Sequence, residues 1–242
     1  MWLKITNNYS PNFSLPKRTE KSIKFIILHY TGMKKESSAI KRLCDFSSKV
    51  SAHYFIKKNG DILNLVPDLY EAWHAGKSQW KTIKSLNKYS LGIEIQNSGH
   101  DNNYENFSYR QVTSLIKILK FLVKKYKIKN TNILGHSDIS PNRKKDPGEK
   151  FPWKKLSNHK LVKWHNLNEI QLKKKRLEKL SLTEEHRFLK YLNIFGYNKI
   201  KSLKSNKDNK FLIKAFQRRF RQNLINGIAD KECLLIVKNL IK

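Results

Sequence analysis

The chain has 242 residues, a formal net charge of +31 and two cysteines, Cys44 and Cys233. This length suits one large domain or a medium domain with a small one, while two cysteines and short apolar runs exclude a disulfide framework and a helical membrane span. Of the 50 basic residues, 41 are lysines spread along the whole chain, which indicates a solvated surface more than a nucleic-acid groove.

The first clear strand is the apolar run 25–28, whose pattern is typical of a strand buried on both faces. It ends at His29, and open α/β sheets place their ligands at the carboxyl ends of strands. His29 is therefore a candidate site residue. A helix is predicted around residues 38–46, because the apolar residues there share one face.

A β-hairpin is predicted next, because the strand-like runs 52–56 and 61–66 flank Asn59-Gly60. The following segment, 72–89, is irregular and rich in tryptophan, histidine, glycine and serine. Long segments of this kind usually cover a site or contribute to it.

Two further strands surround a long amphipathic helix. Residues 91–95 form a strand that carries Glu94, and Ser108 begins the helix with a capping-box pattern. Residues 132–134 form the next strand, and His136 lies just beyond it. The alternation predicts an α/β fold with a central β-sheet flanked by helices, and the hairpin makes that sheet mixed.

The sequence changes character after Trp164. We predict a main domain over residues 1–168, a basic linker over 169–182 and a small separate domain over 183–242. Three short amphipathic helices make up this last part, the first ending near Gly196.

His29, His136 and Asp146 together suggest a metal site. A single histidine after a strand is more often a hydrogen-bonded structural residue, and an aspartate before proline is usually a turn residue. All three, however, lie at strand ends or in the adjoining loop and can converge at one sheet edge. Two histidines, one carboxylate and an open fourth position are the arrangement of a catalytic zinc site, so the pattern indicates a zinc hydrolase.

Two further residues are candidates for catalysis. Glu94 on an apolar strand is costly to bury without a partner, so it either pairs with a lysine or acts as the base that takes a proton from zinc-bound water. Lys144 lies two residues before Asp146, where its ammonium could stabilise an oxyanion; otherwise it is one of many surface lysines. Asp138 is interpreted as a supporting or turn residue.

These motifs resemble a known family. Residues 8 to about 165 resemble the type-2 N-acetylmuramoyl-L-alanine amidases, a zinc family related to the peptidoglycan recognition proteins. The resemblance rests on five motifs in order, at residues 28–32, 50–54, 72–76, 93–95 and 135–148.

The resemblance implies cleavage of the amide between N-acetylmuramic acid, or its 1,6-anhydro form, and L-alanine in peptidoglycan or muropeptides. It implies one zinc ion per chain, held by His29, His136 and Asp146, with catalytic roles for Glu94 and Lys144. It also places Trp73, His74 and Ala75 at the substrate groove. His53 is expected to face the same site from its strand. For Trp73, simple packing is the alternative.

The C-terminal helices resemble a peptidoglycan-binding domain, through residues 195–197, 215–220 and 227–230. The alternative is a packing extension that stabilises the enzyme or a dimer. Two rival functions remain for the whole chain, a non-catalytic peptidoglycan-binding protein and a basic nucleic-acid binder. The partner we expect is peptidoglycan or a muropeptide, with no nucleic acid and an oligomeric state that the sequence leaves open.

The compartment is also an expectation only. Residues 1–9 lack the apolar core of a secretory signal, which favours a cytoplasmic enzyme that recycles anhydro-muropeptides. A wall-binding domain would instead suit the periplasm or cell envelope, reached by another export route.

Overall fold

Short apolar strands form the centre of the computed structural model, which describes residues 3–198 and 207–242. In chain order the strands are β1 (Ile5–Asn7), β2 (Phe13–Ser14), β3 (Phe25–Tyr30), β4 (Tyr54–Ile56), β5 (Ile62–Asn64), β6 (Glu71–Ala72), β7 (Gln79–Trp80), β8 (Ile83–Lys84), β9 (Ser90–Ile95) and β10 (Ile133–Gly135). The helices are α1 (Glu36–Cys44), α2 (Tyr109–Tyr126), α3 (His136–Ile139), α4 (Trp153–Asn158), α5 (Glu169–Lys174), α6 (Leu182–Phe195), α7 (Lys207–Phe220) and α8 (Lys231–Leu240).

The central sheet has six strands in the order β1-β5-β4-β9-β3-β10. Its pairs are parallel except for β4 and β5, which form the predicted antiparallel hairpin around Asn59-Gly60. The predicted mixed sheet flanked by helices is therefore confirmed. Since β3, β9 and β10 are mutually parallel, their carboxyl ends lie at one edge of the sheet, and His29, Glu94 and His136 lie there.

The long helix α2 covers one face of the sheet. It begins with the predicted capping box, in which the Ser108 hydroxyl accepts from the Gln111 amide and the Gln111 side chain accepts from the Ser108 amide. Its apolar side packs against Ile26 and Leu28 of β3 in one buried cluster. On the other face, α1 packs against Phe55 and the neighbouring strands.

The three predicted C-terminal helices are present as α6, α7 and α8. They share one hydrophobic cluster with Phe25 and Ile27 of β3 and with Trp80 of the β7–β8 hairpin. Gly196, which ends α6, lies so close to the Trp80 ring that an added Cβ would be 2.3 Å from it. The helices thus pack directly on the face of the sheet opposite α2.

The segment predicted as a basic linker, 169–182, has a defined structure. It contains α5, and Leu172 in that helix joins the core shared with the C-terminal helices. Helix α5 packs against α8. The run of charged residues made this segment look like a solvated linker, but the helix also has an apolar side that is buried in the fold. Residues 199–206 of the predicted C-terminal domain lie outside the described residues. Within the described ranges, every helix is too short or too polar to span a bilayer.

Candidate active site

His29, His136 and Asp146 converge at the carboxyl end of the sheet, as predicted. His29 is near the end of β3, His136 is the first residue of α3 after β10, and Asp146 follows in the next loop. The Nδ1 atoms of the two histidines are 3.0 Å apart, and Asp146 Oδ2 is 3.0 Å from the first and 3.1 Å from the second. All three side chains are buried.

Hydrogen bonds determine which nitrogen of each imidazole is free. His136 Nε2 lies 3.1 Å from the carbonyl oxygen of Ala75, so Nε2 carries the proton and donates it. His29 Nε2 donates to His74 Nδ1 at 3.1 Å, because His74 Nε2 in turn donates to Ser90 Oγ and that hydroxyl donates to Leu86 O. Both Nδ1 atoms therefore present lone pairs to one another and to a carboxylate oxygen.

Three electron-pair donors so close together repel one another unless a cation lies between them. Burial lowers the pKa of His29 to about 4, which keeps its ring neutral and able to ligate. Burial alone would raise the pKa of Asp146, but positive charge at the facing imidazole positions lowers it well below its usual range, so the carboxyl group is ionised when a cation lies beside it. A neutral nitrogen pair and an ionised carboxylate make a donor set that fits a divalent metal ion, and the three ligand atoms lie within 4.8 Å of one another.

Glu94 lies beside the metal-binding group. Strand pairing places Glu94 opposite His29, and alternate residues of neighbouring strands share one face of a sheet. Among the described residues, its Oε2 is buried without a hydrogen-bond partner. Burial raises the pKa of Glu94 well above its ordinary value, and the Asp146 charge adds to the effect. The lysine partner that was the alternative for Glu94 is absent from the hydrogen bonds and ion pairs of the described chain.

Lys144 lines the same cavity, which has a volume of about 510 Å³ and also contains the metal group and Glu94. Its charge opposes the protonation of His29 and favours ionisation of Glu94. In the part of the chain that the structure describes, its ammonium makes no ion pair. The Lys144 ammonium is therefore close to the site and available to stabilise an oxyanion.

His74 and Ala75 form hydrogen bonds to the Nε2 atoms of the two candidate histidine ligands, on the side away from the metal position. The His74 ring also lines the cavity, whereas Ala75 is fully buried and acts through its carbonyl oxygen. The amides of both residues donate to one oxygen, Asn87 Oδ1, at 3.2 and 2.7 Å. Residues 74–75 therefore orient His29 and His136, in the way that outer partners orient the ligands of a metal.

The other two predicted groove residues differ from each other. Trp73 lines the cavity, and its indole nitrogen donates to Ser14 Oγ at 2.8 Å. His53 is fully buried and does not line that cavity; its Nδ1 accepts from the Gly92 amide at 2.9 Å and its Nε2 lies 3.0 Å from Tyr70 O. Direct contact between His53 and a substrate would require one of these bonds to break.

Several residues at the site carried no signal of their own in the sequence. Ser90 and Asn87 complete the hydrogen bonds behind the histidines, and Tyr30 and Arg143 line the cavity. Gly92 leaves room for His74, because an added Cβ would lie 2.5 Å from the imidazole. Tyr30, Gly92 and Arg143 fall within or beside the sequence motifs, but only the fold reveals what each one contacts.

Comparison with known proteins shows which enzyme family this chain resembles. Residues 19–149 match the family model described as N-acetylmuramoyl-L-alanine amidase. The amidase AmiD of Escherichia coli is 33% identical over 232 residues, which cover 91% of this chain and 83% of that protein. The 1,6-anhydro-N-acetylmuramyl-L-alanine amidase AmpD of Haemophilus influenzae is 39% identical over 111 residues, which cover 46% of this chain and 58% of that protein.

Solved structures agree with the sequence comparisons. The complex of E. coli AmiD with anhydro-N-acetylmuramic acid-L-Ala-D-gamma-Glu-L-Lys superposes with a TM-score of 0.79 at 31% identity, over 91% of this chain and 89% of that one.

The fold and the site are those of an amide hydrolase, with a group of side chains able to hold a metal ion at the end of a mixed sheet. The chain belongs to the N-acetylmuramoyl-L-alanine amidase family. The predicted resemblance is thereby confirmed.

Proposed function

We propose that the protein is a zinc-dependent amidase that hydrolyses the amide between the lactyl group of N-acetylmuramic acid, or its 1,6-anhydro form, and L-alanine. Family membership supports the reaction. The muropeptide bound to the related E. coli enzyme supports a fragment of this kind as substrate. The proposed role is recycling or remodelling of the cell wall.

His29, His136 and Asp146 would hold the ion, two through Nδ1 and one through Oδ2. Zinc bound by three protein ligands lowers the pKa of a bound water and polarises a carbonyl group. The fixed Nε2 protons of both histidines keep the ligating nitrogens free, so the chain is prepared for the metal before it arrives. This preparation is the observation that carries the proposal.

Glu94 is the proposed general base. It accepts a proton from the attacking water and returns it to the departing amide nitrogen, so that L-alanine leaves as an amine. Its unpartnered Oε2 supports this role, since a buried carboxylate oxygen without a protein donor is available for a water molecule.

Lys144 is the proposed oxyanion donor. As the carbonyl carbon becomes tetrahedral, negative charge develops on its oxygen, and a nearby ammonium stabilises that charge more than it stabilises the ground state. Trp73 and Tyr30, which line the same cavity, would contact the sugar or the peptide stem.

The test is mass analysis of the products from an anhydro-muropeptide, with the metal removed by a chelator and then restored as zinc. We expect release of the intact peptide stem from the sugar, loss of activity without metal and recovery with zinc. His29→Ala and Asp146→Ala should lose both bound zinc and activity. Full activity in metal-free protein would overturn the proposed mechanism, and cleavage within the peptide would overturn the proposed bond.

A further inference from the structure

Helix α7 contacts the segment that carries two of the three candidate metal ligands. We call residues 136–149 the metal loop; His136 begins it and Asp146 lies near its end. Two consecutive arginines of α7, Arg218 and Arg219, pair with acidic residues at opposite ends of this loop. A helix from the C-terminal part of the chain thus reaches the active site from behind.

Arg219 secures the beginning of the loop. Its Nη1 donates to Asp138 Oδ2 at 2.6 Å and its Nη2 donates to Ile133 O at 3.1 Å. Asp138 also accepts from the Gly135 amide at 2.8 Å and from the Tyr197 hydroxyl at 2.6 Å. Arg219 and Asp138 are both almost completely buried. This carboxylate, two residues after His136, is therefore held by the C-terminal helices on one side and by the end of β10 on the other.

Arg218 lies against the end of the loop. Its Nε is 3.7 Å from Glu149 Oε2, an ion pair without a hydrogen bond from that nitrogen among the described residues, and its side chain is 12% exposed. Glu149 is also 3.0 Å from His100 Nε2, and His100 Nδ1 is 2.8 Å from the Tyr30 hydroxyl. Tyr30 follows His29 directly and lines the cavity. Arg218 is therefore connected, through Glu149 and His100, to residues close in sequence to the other two candidate ligands, His29 and Asp146.

Packing between these two ends is close. The Tyr104 ring stacks on His100 with centroids 4.5 Å apart, and its hydroxyl donates to Pro147 O at 2.7 Å. An added Cβ at Gly148 would lie 2.5 Å from that hydroxyl. The loop after Asp146 has no room to move unless Tyr104 and His100 move with it.

Two other arginines in this part of the chain pair elsewhere. Arg221, which directly follows α7, pairs with Asp230 and Glu232, and Arg176, which lies just after α5, pairs with Glu232, so these charges are neutralised away from the metal loop. Ion pairs within the C-terminal part of the chain therefore account for Arg221 and Arg176. They do not account for Arg218 and Arg219, which pair with the metal loop.

We infer that the C-terminal helices are a positioning element of the metal site, acting through Arg218 and Arg219 on the metal loop. The inference rests on the proposed zinc site. A loop that is free before binding must lose conformational entropy when its ligands take up an ion. A buried pair at one end and a partly buried pair at the other reduce that cost in advance. Arg218 and Arg219 are positioning residues, since neither lines the cavity.

The experiment measures zinc affinity by competition with a chromogenic chelator, together with kcat and KM for an anhydro-muropeptide. The variants are Arg218→Gln, Arg218→Lys, Glu149→Gln, the combination of Arg218→Gln with Glu149→Gln, and Arg219→Lys, all in the whole 242-residue chain with folding checked by circular dichroism. Arg187→Gln is the matched control, because Arg187 is an exposed arginine on α6 that forms no ion pair with the metal loop among the described residues.

We expect Arg218→Gln to weaken zinc binding on the order of 10-fold, as for other residues that support metal ligands, with little change in KM. Glu149→Gln should weaken it similarly, and the combined variant should lose less than the sum of the two. Arg218→Lys should recover part of the affinity, and Arg187→Gln should match the wild type.

Wild-type zinc affinity in both Arg218→Gln and Arg219→Lys would overturn the inference, as would additive losses in the combined variant. Because Arg218 is partly exposed, its variants remain informative if Arg219→Lys does not fold. A wild-type protein that binds no zinc would instead refute the proposed function, so the two failures are distinguishable.

Discussion

The hydrogen bonds behind His29 predict that Ser90→Ala weakens zinc binding from a position that no substrate reaches. Ser90 is fully buried, and its hydroxyl accepts from His74 Nε2 at 3.2 Å while donating to Leu86 O at 2.6 Å. Without this acceptor, the Nε2 proton of His74 is left unsatisfied in a buried place. His74 can avoid that cost by moving its proton to Nδ1.

That tautomer conflicts with metal binding. A protonated Nδ1 on His74 would face the Nε2 proton of His29, so His29 would have to carry its own proton on Nδ1, the atom that ligates. The metal-free protein tolerates this arrangement, because Asp146 can accept the proton. The penalty therefore falls on the zinc-bound state. An unsatisfied buried donor costs about 1–3 kcal/mol, which corresponds to roughly a 5- to 150-fold weaker Kd.

Chelator competition measures the effect, and Ser78→Ala is the matched control. Ser78 is also buried, and its hydroxyl bonds to Gly76 O and to the Leu86 amide, so it supports the same segment without touching an imidazole. We expect both variants to lose some thermal stability but only Ser90→Ala to lose zinc affinity. Equal zinc affinities in the two variants would refute the assigned tautomers.

Three further predictions concern the site. Glu94→Gln should retain zinc and lose about 10²- to 10⁴-fold in kcat, measured with an anhydro-muropeptide; an active variant would remove Glu94 as the base. Lys144→Met should lower kcat by about 10²- to 10³-fold with zinc retained, whereas Lys145→Met, at the exposed neighbouring position, should be nearly neutral; equal effects would deny Lys144 a specific role. Burial lowers the pKa of His53 to about 3, so between pH 6.5 and 3 the unfolded chain binds a proton at this residue and the folded chain does not. The stability that neutral His53 contributes above pH 6.5 is therefore lost as the pH falls toward 3. Urea denaturation of metal-free protein should therefore show a pH dependence between pH 6 and 4 that is shallower in His53→Gln, by up to about 1.4 kcal/mol per pH unit; parallel curves would count against a neutral buried His53.

The sequence predicts the ligands because their positions follow from strand periodicity. His29 and His136 each come at the end of an apolar run, and parallel strands bring such ends together. Asp146 is predicted through its motif, since nothing local distinguishes it from a turn residue. Glu94 is predicted for a different reason, namely that an acidic residue on a buried strand requires a function or a partner.

The outer contacts could not be predicted, because they depend on geometry that has no sequence pattern. Ser90 is one serine at the start of a strand, and its importance follows only from the direction of two hydrogen bonds. Arg219 and Asp138 are 81 residues apart. An amphipathic helix has the same pattern whether its apolar side packs on neighbouring helices or on a sheet, so the docking of α6 to α8 against β3 was also unpredictable.

The alternation of β3 connects that docking to the metal site. Side chains of a strand point alternately to its two faces, so Ile26 and Leu28 pack toward α2, while Phe25, Ile27 and His29 share the opposite face. The C-terminal helices bury Phe25 and Ile27 on that opposite face. A shift of β3 by one residue would therefore place this apolar pair toward α2, where Ile26 and Leu28 now pack, and would turn His29 away from His136 and Asp146 at the same time. The alternation that lets the C-terminal helices pack on Phe25 and Ile27 thus also sets the face of β3 that carries the first candidate metal ligand.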